Sequence, residues 1–263
     1  MKLFSISNIG WEAKDDPIVY EMMKQQGFQG LELAPTRIIA EQPYSHPEQI
    51  AEWSHEVCVK HGFTVSSLQS IWYGRQENLF ASCVERQALA DYTRQAIDFA
   101  AVLQCRNLVF GCPKNRNRPE GADEQQAITF LKEIGDYAAQ RGTIIGIEAN
   151  PPIYQTNLIN DTKTALEWVL QINSPGCRLT LDVGTMIEQG EDPSLLKGKV
   201  HLINHVHVSE PYLKPIRERS LHTDLHRILR EEGYQRYISI EVGKIKNLSL
   251  LEEMMRYVRG IFS

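Results

Sequence analysis

Short apolar runs alternate along the chain with longer segments in which apolar residues recur three and four positions apart. In the last of these segments the spacing is carried by Leu251, Met255 and Val258, as on the buried face of an α-helix. The short runs are rich in β-branched and aliphatic residues, which is typical of buried strands. They predict strands at Leu3–Ser7, Gly30–Leu33, Thr64–Gln69, Asn107–Phe110, Thr143–Glu148, Arg178–Asp182, His201–Val208 and Tyr237–Val242.

Glycines mark several junctions between a helical segment and the next apolar run. Gly27, Gly62, Gly142 and Gly233 are each followed by an aromatic or β-branched residue that leads into such a run. A glycine after the last helical turn accepts the left-handed backbone conformation, so it ends the helix and turns the chain. The junctions recur at intervals of about 35 to 45 residues, or twice that, which suits one strand, one helix and two loops.

Strands that alternate with helices predict an α/β fold with a parallel sheet. With eight such units, closure into a (β/α)₈ TIM barrel is favoured, and the length of 263 residues is usual for one. We therefore expect a single domain over residues 1–263, with an open, doubly wound sheet as the alternative. No Gly-x-Gly-x-x-Gly or Walker sequence follows a strand, so the usual nucleotide-binding folds are not indicated.

The composition narrows the expected partners. The net charge of −5 gives no help in holding a phosphate backbone, so we expect no nucleic-acid partner. Five cysteines without a C-x-x-C pair indicate reduced thiols rather than disulfides or a zinc knuckle. No apolar run approaches the ~20 residues that span a bilayer, so we expect no membrane association and a cytoplasmic protein.

Four consecutive strands end in side chains that can bind a metal. Glu148 ends IIGIE, Asp182 ends LTLD, His207 lies in HVHVSE and Glu241 lies in ISIEVG. Residues two positions earlier on each strand are small or polar, and the two-residue period of a strand points all four candidates into the barrel. In such barrels the carboxyl ends of the strands form the active face.

Any one of these carboxylates could simply cap the next helix or pair with a nearby cation. Three acids and an imidazole gathered in one barrel mouth, however, repel and lose hydration unless a positive charge compensates them. A set of three carboxylates and one imidazole suits a hard to borderline ion such as Mn²⁺, Mg²⁺ or Co²⁺ better than thiophilic Zn²⁺. Mn²⁺ is our first choice, with Mg²⁺, Co²⁺ or Zn²⁺ as alternatives. We therefore predict one divalent metal ion bound by Glu148, Asp182, His207 and Glu241.

Other polar residues have less specific signals. His205 lies two residues before His207 on the same face, and we expect it to be buried and hydrogen-bonded rather than a ligand. Glu32, at the end of the second strand, is a candidate to contact a substrate hydroxyl or, alternatively, to bond to backbone. His222, which follows the loop after the seventh strand, is a candidate to approach the substrate.

Two loops carry further candidates. Trp72 and Tyr73 follow the third strand and are expected either to form an apolar wall against a sugar ring or to pack in the core. Lys114, Arg116 and Arg118 follow the fourth strand, where they could neutralise an anionic group on a substrate, although such runs are more often solvated.

The segments IEAN, LDVG, HVHVSE and GYQRYISIE, in this order and spacing, resemble the xylose isomerase-like barrel superfamily, particularly its sugar isomerases and 3-epimerases. The resemblance spans essentially the whole chain. It implies that Glu148, Asp182, His207 and Glu241 bind the metal, usually Mn²⁺, Mg²⁺ or Co²⁺. It also implies that Glu148 and Glu241 act as the acid and base, transferring a proton through a metal-stabilised enediolate of a sugar or sugar derivative. We therefore expect a small-molecule sugar or polyol as the partner. Dimers and tetramers are common among such relatives.

The residues around this predicted centre differ from those of ketohexose epimerases in the family. Those enzymes carry a histidine where this chain has Thr185, an arginine where it has Leu213 and a glutamate where it has Tyr154. Arg217 and Arg219 follow in a longer loop, and we take Arg217 as a candidate substrate-binding residue. The shell that reads the substrate is therefore expected to differ from that of an enzyme for free ketohexoses.

Three alternatives remain open from the sequence. A lyase of the same superfamily could use the same metal to remove water from an inosose or dehydroshikimate-like ring. An abasic-site endonuclease needs more histidines and an Asp-x-His pair, which this chain lacks after His207. A noncatalytic barrel that only binds a ligand or partner is the third.

Overall fold

The strands of the computed structural model, which describes residues 3–263, close into one parallel barrel in chain order, and the last strand pairs with the first. The predicted barrel is thus confirmed. The strands are β1 Leu3–Ser7, β2 Gly30–Leu33, β3 Thr64–Leu68, β4 Leu108–Phe110, β5 Ile145–Glu148, β6 Cys177–Asp182, β7 Ile203–Val208 and β8 Tyr237–Ile240.

Helices follow the strands and surround the barrel. They are α1 Asp16–Gln25, α2 Pro47–His61, α3 Cys83–Val102, α4 Glu124–Gln140, α5 Thr162–Ile172, α6 Val183–Glu188, α7 Ser220–Glu231 and α8 Leu248–Phe262. Within residues 3–263, no helix is both long and apolar enough to cross a lipid bilayer.

Local sequence signals set several helix ends. The side chains of Ser82 and Asp161 accept hydrogen bonds from backbone N–H groups in the first turns of α3 and α5, which satisfies donors that the helix leaves free. Gly62 ends α2 with a φ of 73°, as its position after the last helical turn predicts. The predicted strands differ from the observed ones by one or two residues at several ends. The largest differences, of two residues, are at Thr143 and His201, where the chain has not yet entered the sheet, and at Val242, where it has already left it.

The interior of the barrel is polar and tightly packed beneath the active face. Asn107 donates to Ser67 Oγ over 2.9 Å, and Ser5 Oγ lies 2.5 Å from Ser66 Oγ. A Cβ on Gly146 would lie only 2.0 Å from Thr180 Oγ1, so this position has no room for a side chain. This packed layer of side chains lies beneath the strand-end carboxylates and supports them from below.

Candidate metal centre and active site

Glu148, Asp182, His207 and Glu241 meet at the carboxyl end of the barrel. Glu148 and Asp182 are the last residues of β5 and β6, His207 is the penultimate residue of β7, and Glu241 directly follows β8. Each offers one ligand atom, and these atoms all lie within 4.8 Å of one another. The structure thus brings together the four residues that the strand ends single out.

His207 stands at the centre of the group. Its Nδ1 lies 2.9 Å from Glu148 Oε1 and 3.3 Å from Glu241 Oε2. Its Nε2 lies 2.9 Å from Glu32 Oε2 on the opposite side of the ring. A carboxylate on one ring nitrogen fixes the tautomer and leaves the other nitrogen for a metal, an arrangement common among histidine ligands.

Asp182 has two roles. It is the N-cap of α6, where its Oδ2 accepts hydrogen bonds from the backbone N–H and the hydroxyl of Thr185 at 2.8 and 2.7 Å. Its Oδ1 accepts from the hydroxyl of Ser209. The helix-capping alternative considered for a strand-end carboxylate therefore applies here, and the same contacts orient the carboxylate toward the other candidate ligands.

Glu148 is held by groups on its own loop and on the loop after β4. Asn150 Nδ2 donates to Glu148 Oε2 over 3.1 Å. Arg116 donates to the backbone carbonyl of Glu148 and to Asn150 Oδ1, both over 2.9 Å. A Cβ on Gly111 would lie 2.5 Å from Glu148 Oε2, so the absence of a side chain there makes room for this carboxylate.

Arg116 is fully buried, and burial lowers the pKa of its guanidinium to about 10. Neither alternative for the basic loop, contact with an anionic substrate group or exposure to solvent, describes Arg116, which instead supports Glu148 from behind. Arg118, in contrast, pairs with Glu124 at the surface.

The pKa shifts in the centre indicate that its carboxylates outnumber the positive charges close to them. Burial raises the pKa of Glu241 to about 8, and the nearby carboxylates of Glu148 and Asp182 add to this effect. Burial and Glu148 also raise the pKa of Asp182. Burial opposes protonation of His207, but the carboxylates of Glu241 and Glu32 outweigh it and raise its pKa well above the usual value. These shifts all favour the protonated forms, and a divalent cation at this position would supply the same positive charge.

Glu32 and His205 lie below this centre. Glu32 is completely buried and lies 2.7 Å from His205 Nε2, as well as contacting His207. Gln69 Nε2 donates to Glu32 and, over 2.8 Å, to Glu241 Oε1. His205 is buried and hydrogen-bonded, as expected. The proposed contact of Glu32 with a substrate hydroxyl does not fit its burial, because its oxygens are engaged by imidazole and amide groups.

A cavity of about 960 Å³ opens above the centre, and Glu148, Asp182 and Glu241 form part of its lining. Glu210 lines it as well and pairs with Arg219, whose Nε lies 2.7 Å from Glu210 Oε1. The volume of the cavity is at the upper end of the ~300–1,000 Å³ that is typical of small-molecule sites. The cavity gives a small molecule access to the carboxylates.

Three candidate substrate residues lie elsewhere. Trp72 is buried beneath the loops, where its Nε1 donates to Thr93 Oγ1 over 2.8 Å and its ring packs against aromatic side chains. His222 is buried between α7 and α8, 2.8 Å from the hydroxyl of Tyr257. Arg217 is exposed outside the cavity lining. Its backbone N–H donates to the lining residue Glu210 over 3.2 Å, whereas the guanidinium that pairs with Glu210 is that of Arg219. The substrate contacts expected for His222 and Arg217 therefore do not fit the structure, and Trp72 takes the alternative expected for it, packing in the core.

Several supporting residues did not stand out in the sequence. Gln69, Asn150 and Ser209 each hold one of the candidate ligands. Asn150 follows its own ligand, Glu148, within IEAN, whereas Ser209 follows His207 within HVHVSE but donates to Asp182. Proximity to a ligand in the sequence was their only signal. Gln69 comes from a strand without a ligand, and nothing in its surroundings marks it.

Comparison with known proteins agrees with this architecture. A D-psicose 3-epimerase from Clostridium cellulolyticum H10, solved with D-tagatose, superposes with a TM-score of 0.81 at 16% identity, with 100% of both chains covered. A 3-keto-D-glucoside 4-epimerase from E. coli gives a TM-score of 0.78 at 16% identity, with 99% of this chain and 100% of that chain covered. An AP endonuclease, family 2, from Brucella melitensis gives 0.72 at 19% identity, with 98% of each chain covered.

At these identities the structural likeness concerns the fold. No curated protein sequence gives a significant match. The family model described as xylose isomerase-like TIM barrel matches residues 20–260. The chain therefore belongs to the xylose isomerase-like TIM barrel family.

Proposed function

We propose that this protein is a divalent-metal-dependent isomerase or epimerase of a sugar or sugar derivative. The observation that carries the proposal is that the carboxylates of Glu148 and Glu241 both lie within 3.3 Å of His207 Nδ1, at the floor of an open cavity. The sugar epimerases among the similar structures support the same class of substrate.

Glu148, Asp182, His207 and Glu241 would hold the metal. Their donor set is mostly oxygen, and three closely spaced acids share a single imidazole, so the residues present fit a hard to borderline ion, Mn²⁺ being our first choice. When bound, such an ion acts as a Lewis acid that stabilises negative charge developing on a carbonyl oxygen.

The proton transfers fall to Glu148 and Glu241. They come from β5 and β8, three strands apart around the barrel, and so approach a substrate from different walls. One takes the proton from the carbon beside the carbonyl, giving an enediolate, and the other returns a proton to another atom or face. Asn150 holds Glu148 Oε2 and Gln69 holds Glu241 Oε1, which fixes the carboxylates for this exchange.

A small neutral or weakly charged substrate suits the cavity better than a nucleic acid. The carboxylates on its floor and the net charge of −5 repel a phosphate backbone. The likeness to an AP endonuclease therefore does not extend to a proposal of that activity.

The direct test is exchange of solvent deuterium into a panel of keto sugars, including D-psicose and D-tagatose, followed by NMR with Mn²⁺-loaded protein. We expect exchange at the carbon beside the carbonyl, and its loss in Glu148→Gln and Glu241→Gln. Glu167→Gln, an exposed carboxylate on α5, is the matched control and should keep full activity. Growth of absorbance from a conjugated double bond would identify a lyase instead. Absence of both reactions with bound metal would indicate a noncatalytic barrel.

A further inference from the structure

The side-chain donors that hold the carboxylates of Glu148, Asp182 and Glu241 are already engaged by the protein. They are Asn150, Gln69, Ser209 and Thr185. A reaction that passes through an enediolate also needs a donor for the substrate oxygen on which negative charge develops. Because these four side chains donate to the protein's own oxygens, that donor has to come from another residue.

Tyr154 lines the same cavity and carries a donor that is not used in this way. It follows β5 and is partly buried. Its hydroxyl oxygen accepts a hydrogen bond from the backbone N–H of Tyr212 over 2.9 Å. Within residues 3–263, the hydroxyl proton itself meets no acceptor. Since the N–H of Tyr212 occupies one side of the oxygen, the proton has to point away from it.

The backbone that supplies this N–H has an unusual conformation. Tyr212 has a φ of 61° and Leu213 a φ of 52°, both in the left-handed region that residues with side chains rarely adopt. Such a conformation persists only where its surroundings hold it. Here the N–H of Leu213 donates to the carbonyl of Glu210 over 2.9 Å, and its own carbonyl accepts from Gly243 over 2.8 Å. The contact with Tyr154 is therefore a fixed part of the loop.

The surroundings of Tyr154 keep the proton on its phenol. Burial raises the pKa of Tyr154 to about 12, and the carboxylates of Asp182, Glu241 and Glu148 add to the rise. The phenol is therefore a neutral donor near pH 7. That all three carboxylates act on it also indicates that it lies near the candidate centre.

On the basis of the proposed function, we propose that Tyr154 is a catalytic residue, whose hydroxyl donates a hydrogen bond to the substrate oxygen on which negative charge develops. A fixed donor stabilises an oxyanion more than the uncharged carbonyl from which it forms, so it lowers the barrier. The proton stays on Tyr154 throughout. The hydrogen bond therefore adds no step to the exchange between Glu148 and Glu241, and no further reactant is consumed.

The test uses acetohydroxamate, whose two adjacent oxygens resemble those of an enediolate, as a probe for Mn²⁺-loaded protein. Tyr154→Phe keeps the ring and removes the donor. We expect its affinity for acetohydroxamate, measured by isothermal titration calorimetry, to fall about 10- to 100-fold, as for loss of a hydrogen bond to a charged group. Its affinity for Mn²⁺ should stay that of the parent, because the hydroxyl bonds to Tyr212 and not to a candidate ligand. Tyr137→Phe, which removes a hydroxyl that donates to Asp98 on the helical side of the barrel, is the matched control and should bind both probes like the parent.

Replacement of Tyr154 by 3-fluorotyrosine separates a donor from a packing residue. Fluorine makes the phenol more acidic, and hence a stronger donor, while the ring keeps nearly the same size. Acetohydroxamate should therefore bind this variant more tightly than the parent. A residue that only packs against its neighbours would give no such gain.

The inference would be overturned by equal acetohydroxamate affinities of the parent and Tyr154→Phe, by no gain with 3-fluorotyrosine, or by a loss of Mn²⁺ affinity in Tyr154→Phe. A Mn²⁺-loaded parent that does not bind acetohydroxamate would also overturn it, and a parent that binds no Mn²⁺ would overturn the proposed function as well.

Deuterium exchange separates this inference from the proposed function. With any sugar of the panel that exchanges, kcat should fall about 10²- to 10³-fold in Tyr154→Phe, with a smaller change in KM. Exchange that Tyr154→Phe leaves unchanged would keep the proposed function and remove the donor. A loss of acetohydroxamate affinity without exchange into any sugar would keep the donor and remove the isomerase.

Discussion

Arg116 donates a hydrogen bond of 2.9 Å to the backbone carbonyl of Glu148 from a position with no exposed surface. Its second contact, to Asn150 Oδ1, reaches a side chain that itself holds the Glu148 carboxylate. A single buried cation thus supports Glu148 through both its backbone and its side chain. The loop after β4 contributes to the candidate centre without supplying a ligand.

Replacement of Arg116 should loosen the centre more than it disturbs the fold. In Arg116→Met the carbonyl of Glu148 and the amide of Asn150 lose their donors, and loss of such outer contacts weakens metal binding about 10- to 100-fold. Titration with Mn²⁺ followed by calorimetry measures this loss. Arg118→Met, in the same loop but paired with Glu124 at the surface, is the control and should bind Mn²⁺ like the parent. Equal affinities of the two variants would contradict the supporting role of Arg116.

Glu32 is expected to act on the metal through His207. In Glu32→Gln the side chain keeps its size but no longer offers a carboxylate to His207 Nε2. We expect Mn²⁺ affinity to fall about 10- to 100-fold, because the imidazole loses the partner that fixes its tautomer and increases its basicity. The exposed residue Glu41 provides the control variant Glu41→Gln. Unchanged affinity in Glu32→Gln would show that the Glu32 contact does not orient the ligand.

Gly111→Ala tests how closely Glu148 is packed. The added methyl group would lie 2.5 Å from Glu148 Oε2, so the carboxylate has to move. We expect bound metal and deuterium exchange to be lost while the circular dichroism spectrum stays that of the parent. Gly260→Ala, in α8 with nothing within 4 Å of the new atom, should instead stabilise the protein by about 0.8–1 kcal/mol. Full metal binding by Gly111→Ala would refute the close packing.

His222 should make stability depend on pH. Burial lowers its pKa to about 4 from the ordinary value of 6.5, because the neutral ring is favoured in the folded protein. The unfolded chain therefore binds the proton more readily, and the contribution of His222 is complete above pH 6.5 and is lost as the pH falls toward 4. The loss amounts to about 3 kcal/mol. Urea unfolding at a series of pH values should show a smaller decrease for His222→Gln than for the parent, and identical decreases would contradict the assignment.

The fold could be predicted because its signals are local and repeated. Helix-ending glycines such as Gly62 and the apolar runs between them recur along the whole chain, and the barrel is the structure that satisfies them together. The strand ends were less certain, because the pattern near Thr143 and His201 is compatible with either a strand or the turn before it.

The candidate ligands could be predicted for a similar reason. The two-residue period of a strand fixes the side to which Glu148 and His207 point, and the barrel brings strand ends together. No such rule applies to loops and helices. Trp72 and His222 lie on segments whose rotation depends on tertiary packing, and Arg116 turns inward from a loop that reads as solvated. The supporting contacts could therefore be found only in the structure.

The central claim is that Glu148, Asp182, His207 and Glu241 form one metal site, and Mn²⁺ titration followed by electron paramagnetic resonance tests it most directly. The comparison is between the parent and Asp182→Asn, because asparagine still caps α6 but supplies no carboxylate. Asp161→Asn, the same change at the N-cap of α5, controls for the substitution itself. We predict one tightly bound Mn²⁺ per chain in the parent and in Asp161→Asn, and its loss in Asp182→Asn. A parent protein that binds no Mn²⁺, or an Asp182→Asn variant that binds it equally well, would contradict the account.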